Sequence, residues 1–187
     1  AWSQDGHMLA TCSLGGTIRF WDAVWGCGTA LGVIDVGSPV NGGAFAAAGS
    51  QFVSHNGNDV CVWDVSTGQA VMTLAGHTAE VLFVAVSPDG TVIASSSKDT
   101  TIRLWDSSTG VLLRVLEGHA GNVECVVFSR DGLLLASSAS TAGTTSRVWD
   151  VSTGEQKSLV RDEASGDSYM CFFSPDSKIL GVGSYRK

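Results

Sequence analysis

Residues 76–110 read GHTAEVLFVAVSPDGTVIASSSKDTTIRLWDSSTG. Apolar residues come here in short runs bounded by turn residues and never at helical spacing over two turns, so the stretch is predicted to be all strand. Val81 to Val86 is nearly continuously apolar, as expected for a strand buried on both faces. Pro88-Asp89-Gly90 then supplies a turn, because proline presets φ and glycine accepts the positive φ that closes the reversal. Thr91 to Ser97 is the second strand, Lys98 to Thr100 a tight turn, and Thr101 to Asp106 the third strand, in which Ile102 and Leu104 alternate with Arg103 and Trp105. Ser107 to Gly110 turns again, Val111 to Leu116 forms a fourth strand, and Glu117-Gly118-His119 opens the next unit.

Outward from this stretch the same pattern returns. Trp-Asp occurs at Trp21-Asp22, Trp63-Asp64, Trp105-Asp106 and Trp149-Asp150, at spacings of 42, 42 and 44 residues. A fixed period of that size is the mark of a repeat architecture. Four antiparallel strands per period make one twisted sheet that cannot hide both its faces, so it must stack on copies of itself.

Gly76-His77, Ser87-Pro88-Asp89-Gly90, Ser97-Lys98-Asp99, Ile102-Arg103-Leu104-Trp105-Asp106 and Ser108-Thr109-Gly110, in this order and spacing, resemble the WD40 repeat family. The resemblance implies an all-β WD40 β-propeller of four-stranded antiparallel blades. It predicts a partial blade over residues 1–36, full blades over 37–76, 77–118 and 119–162, and a final partial blade over 163–187. Cys171-Phe172-Phe173-Ser174-Pro175-Asp176-Ser177 aligns with Ala1-Trp2-Ser3-Gln4-Asp5-Gly6, so the chain re-enters its starting register before it ends. Together with Ala1 in place of Met, this leads us to expect a segment of a seven- or eight-bladed ring, completed by further blades of the same chain or by a complementary subunit.

Composition sets outer bounds. The chain is 187 residues long, 44% hydrophobic and 16% charged, with a formal net charge of −7. No apolar run is long enough to span a bilayer, and a field of this sign repels phosphate backbones and anionic membrane surfaces. Neither nucleic acid nor membrane is therefore an expected partner. Cys12, Cys27, Cys61, Cys125 and Cys171 show no CxxC pair or zinc spacing, and most fall on predicted strands, where a thiol acts as a small hydrophobe. Reduced thiols and an intracellular, cytoplasmic location are the expectation, with no metal and no cofactor.

Within a blade, the family resemblance implies a hydrogen-bonded chain of four side chains, which maps onto His77, Ser97, Asp99 and Trp105. A buried indole N–H, hydroxyl and imidazole each need a partner, and a satisfied network rigidifies a core. Partial sets are expected at His119 with Trp149, at Ser13 with Trp21, and at Trp63, where the serine and aspartate positions read His55 and Gly57. The same residue types make a hydrolase triad, but a nucleophilic serine needs exposure beside an oxyanion hole, which a mid-strand serine lacks. The first two blades and the last piece, poorer in these partners and with Gly42-Gly43 and Ala46-Ala47-Ala48 in place of bulky residues, are expected to be looser.

Function on such a scaffold resides in its loops. One face should present Glu80, Lys98, Asn122, Asn56 and the lengthened loop at Thr141, and family resemblance implies that peptides or partner domains dock there. The leading reading is a noncatalytic protein–protein interaction scaffold, as the repeat array of a multidomain regulatory protein. A propeller-type hydrolase domain and a purely structural subunit of a large assembly are the alternatives. Trp25, in a Gly-rich turn, and the acidic group Asp162, Glu163 and Asp167 read better as a covered side chain and a solvated turn than as a hot spot and a cation site.

Overall fold

A computed structural model describes residues 1–24, 29–40, 42–140, 144–162 and 167–185. The candidates Thr141, Trp25, Cys27 and Glu163 lie outside the described residues. The described residues form five antiparallel sheets in chain order and no α-helix. The first contains β1 (Met8–Cys12), β2 (Thr17–Asp22) and β3 (Ala30–Asp35), with a single bridge from Trp2 to Leu9 on the inner side of β1. The second is β4 (Gly43–Ala46), β5 (Gln51–Asn56), β6 (Asp59–Asp64) and β7 (Ala70–Leu74). The third is β8 (Val81–Val86), β9 (Val92–Ser97), β10 (Ile102–Asp106) and β11 (Leu112–Leu116). The fourth is β12 (Asn122–Phe128), β13 (Leu134–Ser140), β14 (Thr144–Asp150) and β15 (Gln156–Asp162), and the fifth is β16 (Asp167–Phe173) with β17 (Leu180–Tyr185). No helix among these residues is long and apolar enough to cross a membrane.

In the third sheet, three strands start one residue later than the sequence pattern suggests. The amides of Thr91, Thr101 and Val111 are taken by Asp89 Oδ1, Asp99 Oδ1 and Thr109 Oγ1 and thus belong to turns. The Asp of each Trp-Asp pair acts in the same way. Asp106 Oδ1 accepts the amide and hydroxyl of Thr109, both at 2.8 Å, and the Ser108 hydroxyl at 2.7 Å. Asp64 binds Ser66 and Thr67 through the same kinds of contact, and Asp150 binds Ser152 and the Thr153 amide. Gly68, Gly110 and Gly154 close these turns at φ 69, 73 and 77°, a region that side chains other than glycine enter at a cost.

Buried apolar clusters lie between successive sheets. Ile18, Phe20, Ile34, Phe52 and Trp63 join the first sheet to the second. Val53, Val62, Val84, Ile93 and Trp105 join the second to the third, and Leu104, Val123, Leu135 and Trp149 the third to the fourth. Cys125, Ala136 and Cys171, flanked by Val127, Phe173 and Leu180, join the fourth to the fifth. Each sheet thus hides a face against its neighbour, as the stacking argument requires.

The Gly42-Gly43 stretch has a packing role that composition alone did not suggest. A Cβ on Gly43 would fall 2.4 Å from the Phe52 ring and 2.5 Å from the Val53 carbonyl oxygen, so only glycine admits this close approach. Phe20, Phe45 and Phe52 pack around it with ring centroids 5.2 to 5.9 Å apart. The strand itself is short. After Ala46 the chain makes a tight turn over Ala47–Gly49, with Ala48 at φ 53°.

Candidate functional site

The polar interior of the third sheet is built by strand register. Trp105 of β10 lies opposite Ile93 of β9, and Ser95 shares the face of Ile93 one side-chain position further along. The indole reaches this diagonal neighbour: Trp105 Nε1 donates to Ser95 Oγ at 2.9 Å. Ser97 lies a further side-chain position away, beyond the indole's reach. This corrects the sequence expectation, which paired Trp105 with Ser97. The Ser97 hydroxyl instead donates to the Ala79 carbonyl at 3.0 Å and accepts the Asp99 amide at 3.0 Å, closing the turn after β9.

From Ser95 the chain continues inward. His77 Nε2 is 2.8 Å from Ser95 Oγ, and His77 Nδ1 is 2.8 Å from Asp99 Oδ2. One proton arrangement satisfies every group. The indole N–H donates to Ser95, the Ser95 hydroxyl donates to Nε2, and Nδ1–H donates to the Asp99 carboxylate. This needs a neutral imidazole, and burial does push the His77 pKa down, outweighing the opposing pull of Asp99. Burial alone would raise Asp99, but hydrogen bonds from Thr101, His77 and the Thr78 amide hold its carboxyl at about 2.

The same diagonal geometry recurs in the other sheets, with corrections to two expected partners. Trp21 Nε1 donates to Thr11 Oγ1 at 2.9 Å, not to Ser13, which bonds Thr17 within its own turn. Trp63 Nε1 donates to Ser54 Oγ at 2.9 Å, so the second sheet keeps a hydroxyl that counting back along the chain had assigned to His55. Trp149 Nε1 donates to Ser137 Oγ at 2.8 Å, and His119 Nε2 lies 2.7 Å from the same oxygen. His119 Nδ1 has Thr145 Oγ1 at 3.2 Å in place of a carboxylate. Burial, helped by the charge of Arg147, brings the His119 pKa down to about 4.

Trp21 and Trp105 reach a hydroxyl 10 residues back, two beyond Ser13 and Ser97, while turn length changes the separation to 9 for Trp63 and 12 for Trp149. The β5–β6 turn is tight, with Asn56 paired to Asp59, whereas β13 and β14 last pair at Ala139 and Thr145. A fixed count back from each Trp therefore lands on different side-chain positions, whereas pairing across the strands gives a hydroxyl every time. Thr11, Ser54, Ser95 and Ser137 are the residues that the sequence reading missed.

The predicted rim residues fall into different situations. Lys98 Nζ and Glu80 Oε2 form an ion pair at 2.6 Å with both side chains nearly half exposed, and the Lys98 amide donates to the Glu80 carbonyl at 2.9 Å. Glu80, by hydrogen bond and charge, holds the Lys98 ammonium above its ordinary pKa. Asn56 accepts the Ser38 hydroxyl at 2.8 Å and ties the first sheet to the second. Asn122 sits half-buried at the start of β12, opposite Ser140. Glu124, which the sequence reading passed over, accepts the Ser140 hydroxyl at 2.6 Å from a bulge between Val123 and Cys125. Its signal was a carboxylate interrupting an otherwise apolar inner strand.

A comparison with protein families matches WD40, "WD domain, G-beta repeat", over residues 1–22, 68–106 and 110–150, more than half of the chain. The chain belongs to the WD40 family. Its WD40 repeats are similar to those of Protein FIZZY-RELATED 2 of Arabidopsis thaliana, at 40% identity over 110 residues, which is 55% of this chain and 22% of that protein. Anaphase-promoting complex subunit cdh1 of Dictyostelium discoideum is 38% identical over 110 residues, 55% of this chain and 14% of that protein. Anaphase-promoting complex subunit cdc20 of the same organism is 36% identical over 90 residues, 46% of this chain and 18% of that protein. The WD40 chain thus matches less than a quarter of the length of these relatives.

Proposed function

We propose that this WD40 chain is a noncatalytic platform for protein–protein interaction, holding partner proteins or peptides at one propeller face within a larger assembly. The observation that carries this reading is the commitment of its reactive side chains. The Ser95 hydroxyl and the His77 ring are buried and hydrogen-bonded on both sides, so neither is accessible to a substrate. The polar groups that do reach solvent, Glu80 with Lys98 and the neighbouring Glu124, lie on turns and strand ends of a rigid sheet stack, where recognition residues are well positioned. The relatives named as anaphase-promoting complex subunits support membership in a multisubunit assembly. The exposed outward side chains Met170 and Phe172 of β16, 64% and 58% accessible, support a further blade packed on the fifth sheet.

The test is affinity capture with the full-length protein, followed by titration calorimetry against the captured protein. Lys98→Glu places two carboxylates together at the rim and should weaken binding at least tenfold while leaving the melting temperature unchanged. Hydrolytic turnover by the native protein, lost on changing a rim residue, would overturn the platform reading.

A further inference from the structure

The joint between the fourth and fifth sheets differs in chemistry from the others. Among the described residues its fully buried members are Cys125, Ala136 and Cys171, where the preceding joint buries Leu104, Val123, Val126, Leu135 and Trp149 among others. Cys125 lies on β12 and Cys171 on β16, the innermost strands of neighbouring sheets, and the two residues are 2% and 3% exposed. Each sulfur approaches the other residue's backbone: Cys125 Sγ is 3.9 Å from the Cys171 carbonyl oxygen, and Cys171 Sγ is 3.9 Å from the Cys125 carbonyl oxygen. Reciprocal contacts of this kind require two side chains lying side by side across one gap. They are compatible with the Cα separation of about 4.4 to 6.8 Å that a disulfide spans.

Register explains why the sulfurs meet. Cys125 lies opposite Ser138, the place that Phe83 takes opposite Ser96 in the third sheet, and Cys171 lies two residues before Phe173, as Val126 lies two before Phe128. At the joint between third and fourth sheets Val126 is fully buried in the place of Cys171, whereas Phe83, in the register place of Cys125, is 36% exposed.

We propose that Cys125 and Cys171 are an oxidative modification site, a dithiol that closes into an inter-sheet disulfide when a peroxide reaches it. The thiolate of Cys125 attacks one peroxide oxygen, the O–O bond breaks, and hydroxide leaves, giving a sulfenic acid. Cys171 sulfur then attacks the oxidised sulfur, the S–OH bond breaks and water leaves. In sum, two thiols and one hydrogen peroxide give one disulfide and two waters, with sulfur oxidised and peroxide reduced. Burial makes the first step slow, since it waits for the fifth sheet to open, and makes the product stable once formed.

The experiment treats the native full-length protein with hydrogen peroxide, alkylates the remaining thiols in denaturant and digests with trypsin. Cleavage after Arg114, Arg130, Arg161 and Lys178 places the two cysteines in separate peptides, 115–130 and 162–178. The expected product is these two peptides joined, with a mass two hydrogens below their sum, together with a higher melting temperature that dithiothreitol reverses. Cys125→Ser and Cys171→Ala, tested separately so that a folding defect in one does not decide the matter, should each abolish the joined peptide and the melting shift. Full alkylation of both residues after treatment, sulfinic acid at either one, or joined peptides involving only other cysteines would overturn the assignment.

Discussion

Replacing Ser95 with Ala tests whether the hydroxyl selected by strand register, and not the one nearest the turn, holds a WD40 blade together. The change removes an acceptor and a donor at once: Trp105 Nε1–H loses its partner at 2.9 Å and His77 Nε2 its partner at 2.8 Å. Ser95 is 0% exposed and Trp105 2%, so water does not replace either contact. An unpaired buried polar group costs about 1 to 3 kcal/mol, which sets the loss at roughly 2 to 6 kcal/mol for the two. Ser97→Ala is the matched control. Ser97 is equally buried, but its partners, the Ala79 carbonyl and the Asp99 amide, belong to half-buried residues that water can reach, and its cost should be about 1 kcal/mol. For a domain of this size 1 kcal/mol moves the melting temperature by about 2 to 4 °C, so Ser95→Ala should melt lower by roughly 4 °C at the least and about 24 °C at the most. Urea unfolding followed by tryptophan fluorescence, run with Trp105→Phe and the double variant, completes a cycle whose coupling should be about 1 to 2 kcal/mol. Equal losses for Ser95→Ala and Ser97→Ala, or a cycle additive to within about 0.5 kcal/mol, would refute the register argument.

Three further outcomes follow from the same geometry. His119 has a folded pKa of about 4 against an ordinary 6.5, so the unfolded chain takes up a proton first; the stability it contributes is complete above pH 6.5 and drains away as pH falls toward 4. His77 and His55 are lowered in the same sense, so His119→Asn should flatten the fall in melting temperature between pH 7 and 4.5 without removing it, and an unchanged slope would count against a buried neutral ring. Gly43→Ala drives a methyl into the fully buried Phe52 ring and should cost about 2 to 3 kcal/mol, read as a lower urea midpoint; an unaltered midpoint would show that the ring has room. Native-state hydrogen exchange should find the β9 and β10 amides slowest, because their sheet holds the complete Trp–Ser–His–Asp chain and a neighbour on each face, and equal protection of β1 and β2 would contradict this.

Much of the architecture was legible from the Trp-Asp spacing and from the turn residues. Pro88-Asp89-Gly90 and the Asp106-to-Gly110 motif act through their own backbone and side chains, so local chemistry suffices to place them. The Trp105 partner was not legible in the same way. Ser95, Ser96 and Ser97 are consecutive and chemically identical, and only the pairing of Trp105 with Ile93 tells which hydroxyl faces the indole. Ser96, on the opposite face, has no hydrogen-bond partner for its buried hydroxyl, although its sequence neighbours make two each. At the rim the sequence marked Glu80 and Lys98 separately as free recognition residues, and their mutual ion pair emerges only when the loop before β8 meets the turn after β9.

By itself the sequence determined that this chain is a stack of antiparallel sheets, because a recurring period, short apolar runs and turn-forming residues act over a few neighbours and need no knowledge of distant contacts. The tertiary structure alone decided which hydroxyl receives each indole, why Gly43 must lack a side chain, and that Cys125 and Cys171 face each other. Those outcomes depend on register and on the packing of one sheet against the next, where a shift of a single residue turns a side chain to the other face.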